Sequence, residues 1–254
     1  MMRNNTSTLG PRRCLDERPR RGMMRDRAAD RRLLWETMFV LAVSLGQSAW
    51  YSILRMIERL TRGVPMNQQT STLNSSVTPG RPWLDLLYQL SDIAFGVVPA
   101  LLAVLLLAQV KPPRQGVRRA LGLEAPGWGR DVGAGAMLAA IIGIPGLGFY
   151  WAAHALGFNT TVRAADLQHV WWTAPVLIGL AGMNAVLEET VMIGYLFTRW
   201  GQIGGSTTMV IVTSAIIRGT YHLYQGWGDF IGNIVMGLFL GWVFSRRCRL
   251  LPLI

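Results

Sequence analysis

Residues 184–197 read NAVLEETVMIGYLF, and this stretch places two adjacent carboxylates, Glu188 and Glu189, inside an otherwise apolar segment. A carboxylate at membrane depth raises the free energy of insertion by about 2.5 kcal/mol or more, so such residues are rare in spans and usually face a cavity or a partner. The two glutamates therefore predict a functional site inside a membrane-embedded fold.

The composition is that of a polytopic membrane protein, because 51% of the 254 residues are hydrophobic and 15% are charged. In a soluble protein, the formal net charge of +11 would favour nucleic acid as a partner. In a membrane protein, arginines instead gather in cytoplasmic loops and set the orientation. We therefore expect the lipid bilayer as a partner and no nucleic acid.

Six apolar runs predict an all-α, polytopic membrane helix bundle with about six transmembrane helices. The runs are 33–60, 84–110, 132–156, 170–200, 207–224 and 230–244. Residues 61–82, between the first two runs, are rich in Thr, Ser, Asn, Gln, Gly and Pro, and predict an external loop without regular structure.

Residues 1–32 carry ten arginines against four acids and few apolar side chains. Such a segment cannot bury enough surface to offset its ordering entropy, so we predict a disordered basic arm in front of a membrane domain at 33–254. Counting six spans puts this arm, the basic loop at 111–130 and the arginines after residue 244 on one side. The positive-inside rule then predicts a multi-pass protein of the cell membrane with a cytoplasmic N-terminus.

Two pairs of polar residues recur at helical spacing in the second half of the chain. Asn184 and Glu188 are four residues apart, as are Arg218 and His222, so each pair lies on one helix face. At about 1.5 Å per residue, Glu189 lies roughly 15 Å before Arg199 along its helix and His222 roughly 22 Å after residue 207. Both positions fall near the middle of a hydrocarbon layer of about 30 Å, so the side chains can meet there.

If these side chains lie close together, three interpretations of their role remain open from the residues alone. Two carboxylates and an imidazole in a water-excluding cavity suit hydrolysis, with one carboxylate as the base and the imidazole stabilising an oxyanion. The glutamates can instead pair with Arg218, Arg199 or His222 to lock helices together. A proton or ion pathway uses the same residue types, although a transporter is disfavoured because the first half of the chain contains no matching repeat.

The same residues resemble the CPBP family of CAAX proteases and bacteriocin-processing proteins, also called the Abi family. Glu188 and Glu189, continuing into Gly194, are similar to its paired-glutamate first motif, and residues 218–226, RGTYHLYQG, resemble its second motif with His222 as the histidine. The likeness covers residues 174–254. Two positions depart from the family pattern, Ile193 in place of an arginine and Arg218 in place of a phenylalanine, as in a bacterial subgroup.

The resemblance implies an intramembrane endopeptidase that cleaves a membrane-associated protein or peptide. Its base would be Glu188 or Glu189, His222 would stabilise the oxyanion, and Arg218 would replace the missing positive charge. No cofactor is certain; a divalent metal such as zinc would be held by Glu189 and His222, as in a metalloprotease. The alternative is a non-catalytic immunity or scaffold protein of the same family.

The resemblance also implies a third motif, a histidine followed four residues later by Asn or Asp, after a segment like residues 251–254. The chain stops at Ile254, so we expect full activity only if that motif follows. We expect Asn233 to serve in helix packing, and partial substitution for the missing group is the alternative.

Overall fold

The computed structural model describes residues 27–123, 128–168 and 170–254, and these residues are mainly helical. Their α-helices are α1 Arg27–Leu41, α2 Gln47–Thr61, α3 Pro82–Gly96, α4 Val98–Gln109, α5 Val117–Ala120, α6 Trp128–Ala155, α7 Thr173–Glu188, α8 Leu196–Gln202, α9 Thr207–His222 and α10 Trp227–Arg247. Two short π-helical segments continue α1 into α2 and α7 into α8. The predicted all-α class is confirmed.

Five helical segments are long and apolar enough to cross a membrane. They are Arg27–Thr61, Pro82–Gln109, Gly129–Ala155, Thr173–Gln202 and Trp227–Arg247. The sixth predicted span corresponds to α9, which has 16 residues. At about 1.5 Å per residue α9 is roughly 24 Å long, shorter than a hydrocarbon layer of about 30 Å.

The first helix begins earlier in the chain than predicted. Residues 1–26 lie outside the described residues, but α1 begins at Arg27, so the prediction of disorder is wrong for residues 27–32. Asp30 lies in the first turn of α1, where the helix dipole favours an acid, and Leu33 is buried. The favourable position of Asp30 and the burial of Leu33 therefore stabilise the start of α1.

A two-stranded parallel sheet joins two loops at one end of the bundle, hereafter the sheet end. Strand β1, Thr70–Ser75, pairs with strand β2, Thr161–Asp166, in the register Thr70 to Thr161. The prediction that residues 61–82 have no regular structure is therefore wrong for β1. The partner strand lies about ninety residues further along the chain, so no local pattern indicates it.

The sheet end holds the turn between α9 and α10 in place. The backbone N–H and the hydroxyl of Thr160 both donate to the carbonyl of Gln225, at 2.9 and 3.0 Å. Ser71 Oγ lies 2.7 Å from Thr160 Oγ1, which ties β1 to the same contact. The turn carries the end of the second sequence motif, so the sheet helps to position it.

Helices α9 and α10 approach closely because glycines face the contact. A Cβ atom at Gly237 would lie 2.8 Å from the Cα atom of Ala215, and one at Gly219 would lie 2.6 Å from Ile234 Cγ1. Small residues let helix backbones approach in this way inside membranes. The close packing brings α9, which carries Arg218 and His222, beside the buried core around the glutamates.

Candidate active site

The first motif lies where an α-helix changes into a π-helix. α7 ends at Glu188, and the π-helical segment Glu189–Tyr195 follows, with every one of its residues buried. π-helical turns are rare and occur frequently at functional sites, because they rotate neighbouring side chains away from α-helical positions. The second π-helical segment, Ala42–Gly46, includes Leu45, which lines the cavity described below.

The two adjacent glutamates point into different surroundings. Glu189 is 3% exposed, and its Oε1 accepts a hydrogen bond from Arg218 Nη2 at 2.5 Å. Glu188 lines a cavity, and its side chain is 19% exposed. Only one glutamate can therefore contact water in that cavity directly, as the 100° separation of adjacent helical residues predicts.

Arg218 bridges both carboxylates from the facing helix α9. Besides its contact with Glu189, its Nη1 donates to Glu188 Oε2 at 3.3 Å, and the residue is 2% exposed. The predicted proximity of Arg218 to both glutamates is confirmed. Its catalytic role stays a prediction.

Tyr221 adds a second donor to the same carboxylate oxygen. Its hydroxyl donates to Glu188 Oε2 at 2.8 Å. Sequence reasoning missed Tyr221, although it lies three residues after Arg218 and hence on the same helix face. The two donors hold Oε2, whereas none of the described residues donates a hydrogen bond to Oε1 of Glu188.

His222 faces the free oxygen of Glu188. Its Nε2 lies 4.0 Å from Glu188 Oε1, beyond direct hydrogen-bond distance. On the other side of the ring, Gln225 Nε2 lies 3.3 Å from His222 Nδ1 and 3.0 Å from Tyr224 Oη. The Gln225 amide can donate to both, which leaves the proton of a neutral imidazole on Nε2, toward Glu188.

These groups open into a cavity of about 380 Å³. The cavity has walls from α2 and α7, and it is closed on a third side by the end of α9. Its lining residues are Leu45, Gln47, Ser48, Tyr51, Ser52, Arg55, Asn184, Leu187, Glu188, Tyr221, His222 and Tyr224. A carboxylate, an imidazole and a phenol thus share one partly polar hollow inside the helical bundle.

With this geometry described, the chain can be compared with known proteins. Residues 170–254 match the family model described as type II CAAX prenyl endopeptidase Rce1-like. This part of the chain is similar to that family. The match agrees with the predicted CPBP family and begins four residues before the predicted motif-bearing part. No curated protein and no solved structure gives a significant match.

Two predicted partners of Glu188 and Glu189 lie elsewhere. Arg199 pairs with Glu36 at 2.7 Å, so it does not neutralise the motif glutamates. Asn233 donates to the carbonyl of Asp229 at 2.9 Å and lines a different, mainly apolar cavity between α6 and α10. Asn233 is therefore not a substitute for a third-motif group beside Glu188.

The described residues bring together fewer ligands than the predicted zinc ion usually takes. They contain no group of three or more His, Cys, Asp or Glu side chains that could hold a metal ion. Of the two predicted ligands, His222 faces Glu188, whereas the Glu189 carboxylate is bound by Arg218. A catalytic zinc ion usually takes three protein ligands, and Glu188 with His222 supplies two.

Proposed function

We propose that the protein is an intramembrane endopeptidase in which Glu188 activates a water molecule. One observation carries the proposal: the two oxygens of Glu188 have different partners. Arg218 and Tyr221 hold Oε2, whereas Oε1 faces the cavity and His222. A carboxylate held in this way keeps one oxygen free to accept a proton from water.

In the proposed reaction, water lies between Glu188 Oε1 and the carbonyl carbon of the scissile peptide bond. Glu188 takes one proton as the water oxygen forms its bond to that carbon, and His222 donates from Nε2 to the developing oxyanion. The carbon–nitrogen bond then breaks, and the proton held by Glu188 passes to the leaving amine. Arg218 stabilises the carboxylate form of Glu188 between turnovers.

In this scheme, Glu189 is a positioning residue. It lies beside the reacting groups but is bound by Arg218 and sealed from the cavity. Its negative charge orients the guanidinium that also contacts Glu188. We infer that loss of Glu189 weakens the site without removing the base.

The substrate we propose is a membrane-associated protein or peptide, since the cavity lies between helices long and apolar enough to cross a membrane. The cell membrane is the proposed location, with the N-terminus in the cytoplasm. Lys111, Arg199 and Arg246 lie at the end of the bundle opposite the sheet end, which supports that orientation under the positive-inside rule.

A second candidate function is a non-catalytic scaffold of the same family. Arg218 contacts both glutamates, and an ion pair of this kind also holds α7 and α9 together. In that case, the carboxylates would serve only stability. The two functions differ in what they require of Glu188, since a scaffold tolerates a neutral isostere that keeps its hydrogen bonds.

The test uses a membrane-anchored reporter whose cleavage releases a soluble tag, expressed with the parent protein or with Glu188→Gln. We expect Glu188→Gln to accumulate in the membrane at the parent level and to release no tag. Glu58→Gln is the matched control, because Glu58 is an exposed glutamate that does not line the cavity. Cleavage that persists in Glu188→Gln, or is lost equally in Glu58→Gln, contradicts the proposal.

A further inference from the structure

Helix α2 carries a polar stripe within the first apolar span. Its members share one exposed helix face and are spaced by three or four residues: Gln47, Tyr51, Arg55, Glu58 and Arg62. Side chains at these spacings lie above one another along a helix. A span that meets only lipid presents apolar side chains, so this stripe indicates that α2 faces water or a polar ligand.

The first part of the stripe belongs to the cavity that contains Glu188. Gln47, Tyr51 and Arg55 line that cavity together with Glu188 and His222. They form the α2 wall of the cavity, and Glu188 lies on its α7 wall. A peptide bound in the cavity would therefore contact this first part of the stripe as well as the proposed base.

Arg55 is the cation of this wall, and it has no carboxylate partner among the described residues. Its guanidinium carbon lies 5.7 Å from the centre of the Tyr224 ring. The next two arginines along the chain are engaged differently, since Arg59 donates to the carbonyl of Thr70, and Arg62, directly after α2, pairs with Glu58. Arg55 thus presents a planar set of N–H donors, which suits bidentate binding of a carboxylate.

The position of Arg55 favours a ligand in the cavity over a lipid headgroup. It lies six residues before Thr61 at the end of α2, which is about 9 Å along the helix. The Tyr224 ring beside it is anchored, because the Tyr224 backbone N–H donates to Ser52 Oγ at 2.7 Å. The guanidinium therefore lies against an aromatic face at the edge of the cavity.

We infer that Arg55 binds a carboxylate of the peptide substrate and so selects which peptides occupy the cavity. This inference rests on the proposed function, because it takes the cavity as the place where a peptide binds. The carboxylate can belong to the end of the substrate chain or to an Asp or Glu side chain. Both have the same chemistry, and the experiment distinguishes them.

The test measures binding to the purified Glu188→Gln protein in a neutral detergent, by thermophoresis of a dye-labelled heptapeptide of alanine and leucine. Three forms are compared: a free carboxylate end, a carboxamide end, and a carboxamide end with one glutamate in the chain. We expect a carboxylate form to bind about tenfold more tightly than the neutral amide, as for one charge-assisted pair. The form that gains affinity identifies the source of the carboxylate.

Matched substitutions assign the preference to Arg55. Arg55→Gln in the same background is expected to remove the tenfold preference, and Arg55→Lys to keep part of it. Arg62→Gln is the control, because Arg62 lies on the same stripe but does not line the cavity, and it should leave the preference unchanged. Thermal melting of each variant checks that Arg55→Gln is folded.

Three results overturn the inference: equal or absent binding of acid and amide forms, a preference that survives Arg55→Gln, or a preference that Arg62→Gln removes as well. Displacement of the acid peptide by anionic phosphatidylglycerol in the protein with Arg55, but not in Arg55→Gln, would instead assign Arg55 to lipid phosphate. The measurement needs no cleavage. A failure of the catalytic proposal therefore appears in the reporter assay and not in this binding assay.

Discussion

Among the described residues, two buried arginines pair with glutamate, and their surroundings differ. Arg199, 1% exposed, pairs with Glu36 near the end of the bundle opposite the sheet end. Arg218, 2% exposed, pairs with Glu188 and Glu189 beside the cavity. Both connect helices that are distant in sequence, yet only the second group lies next to a hollow.

The hydrogen bonds of Arg199 are saturated. Its Nε and Nη2 donate to Glu36 Oε1 at 2.9 and 2.7 Å, and its Nη1 donates to Gln202 Oε1 at 2.7 Å. Backbone carbonyls of Leu106 and Lys111 accept from the remaining N–H groups. Such a closed network serves stability, because removing any member leaves a buried polar group without a partner.

The Arg218 group is incomplete by comparison. Arg218 Nε and Glu189 Oε2 are buried without a hydrogen-bond partner, and Glu188 Oε1 faces the cavity. Buried polar groups without hydrogen-bond partners are uncommon in proteins. At functional sites, one explanation is that such groups take part in the reaction. The number of ion pairs therefore does not distinguish a structural ion pair from a candidate site. Buried polar atoms without hydrogen-bond partners beside a cavity do distinguish them.

The largest effect on stability is expected at Arg199. Arg199→Met removes every guanidinium donor and leaves the largely buried Glu36 carboxylate with only the Tyr195 hydroxyl as a partner, so the free energy of unfolding should fall by about 3–5 kcal/mol. Unfolding of the detergent-solubilised protein, followed by circular dichroism, measures this change. Arg62→Met is the control and should unfold like the parent, since Arg62 is an exposed arginine. If Arg199→Met unfolded with the same free energy as the parent, the network would not contribute to stability.

A smaller loss is expected where α10 supports Arg218. A Cβ atom at Gly237 would lie 2.8 Å from Ala215 Cα and 3.4 Å from Arg218 Cδ. Gly237→Ala must therefore push α10 from α9 and lower the free energy of unfolding by about 1–3 kcal/mol, with reduced reporter cleavage. In Gly232→Ala, on the same helix, the new methyl group is 3.6 Å from its nearest neighbour and should be tolerated. Equal stability of the two variants would contradict the packing argument.

The smallest effect is expected at Tyr221. Tyr221→Phe removes one donor to Glu188 Oε2, so the free energy of unfolding should fall by about 1 kcal/mol. Reporter cleavage should fall about tenfold, because the carboxylate is less well oriented and stabilised. Tyr88→Phe, at an exposed tyrosine of α3, should change neither quantity. Unchanged cleavage in Tyr221→Phe would show that the hydroxyl does not support the base.

Much of the site could be predicted from the sequence, because its members obey helical spacing. The spacing of Arg218 and His222, with the depth of Glu188 and Glu189, predicted that these four residues meet, and the structure brings them together. Which of the two glutamates faces the cavity could not be predicted. It depends on the π-helical turn after Glu188, which no residue pattern in the segment indicates.

The parts that sequence reasoning missed depend on contacts across long stretches of chain. Glu36 lies in the first apolar run, where the sequence indicates no partner for it, yet it accepts from Tyr195 and Arg199, about 160 residues later. Strand β1 likewise depends on β2 for its hydrogen bonds. Local composition does not indicate a partner that lies so far along the chain. The sequence therefore predicted neither the ion pair of Glu36 nor strand β1.

The comparison of Glu188→Gln with Glu189→Gln tests the central claim most directly. In each variant, reporter cleavage and the free energy of unfolding are measured in the same preparation. The account predicts that Glu188→Gln loses cleavage by at least about 100-fold with nearly parent-like stability, whereas Glu189→Gln is less stable but keeps measurable cleavage. Greater loss of cleavage in Glu189→Gln, or equal loss in both, would contradict the assignment of Glu188 as the base.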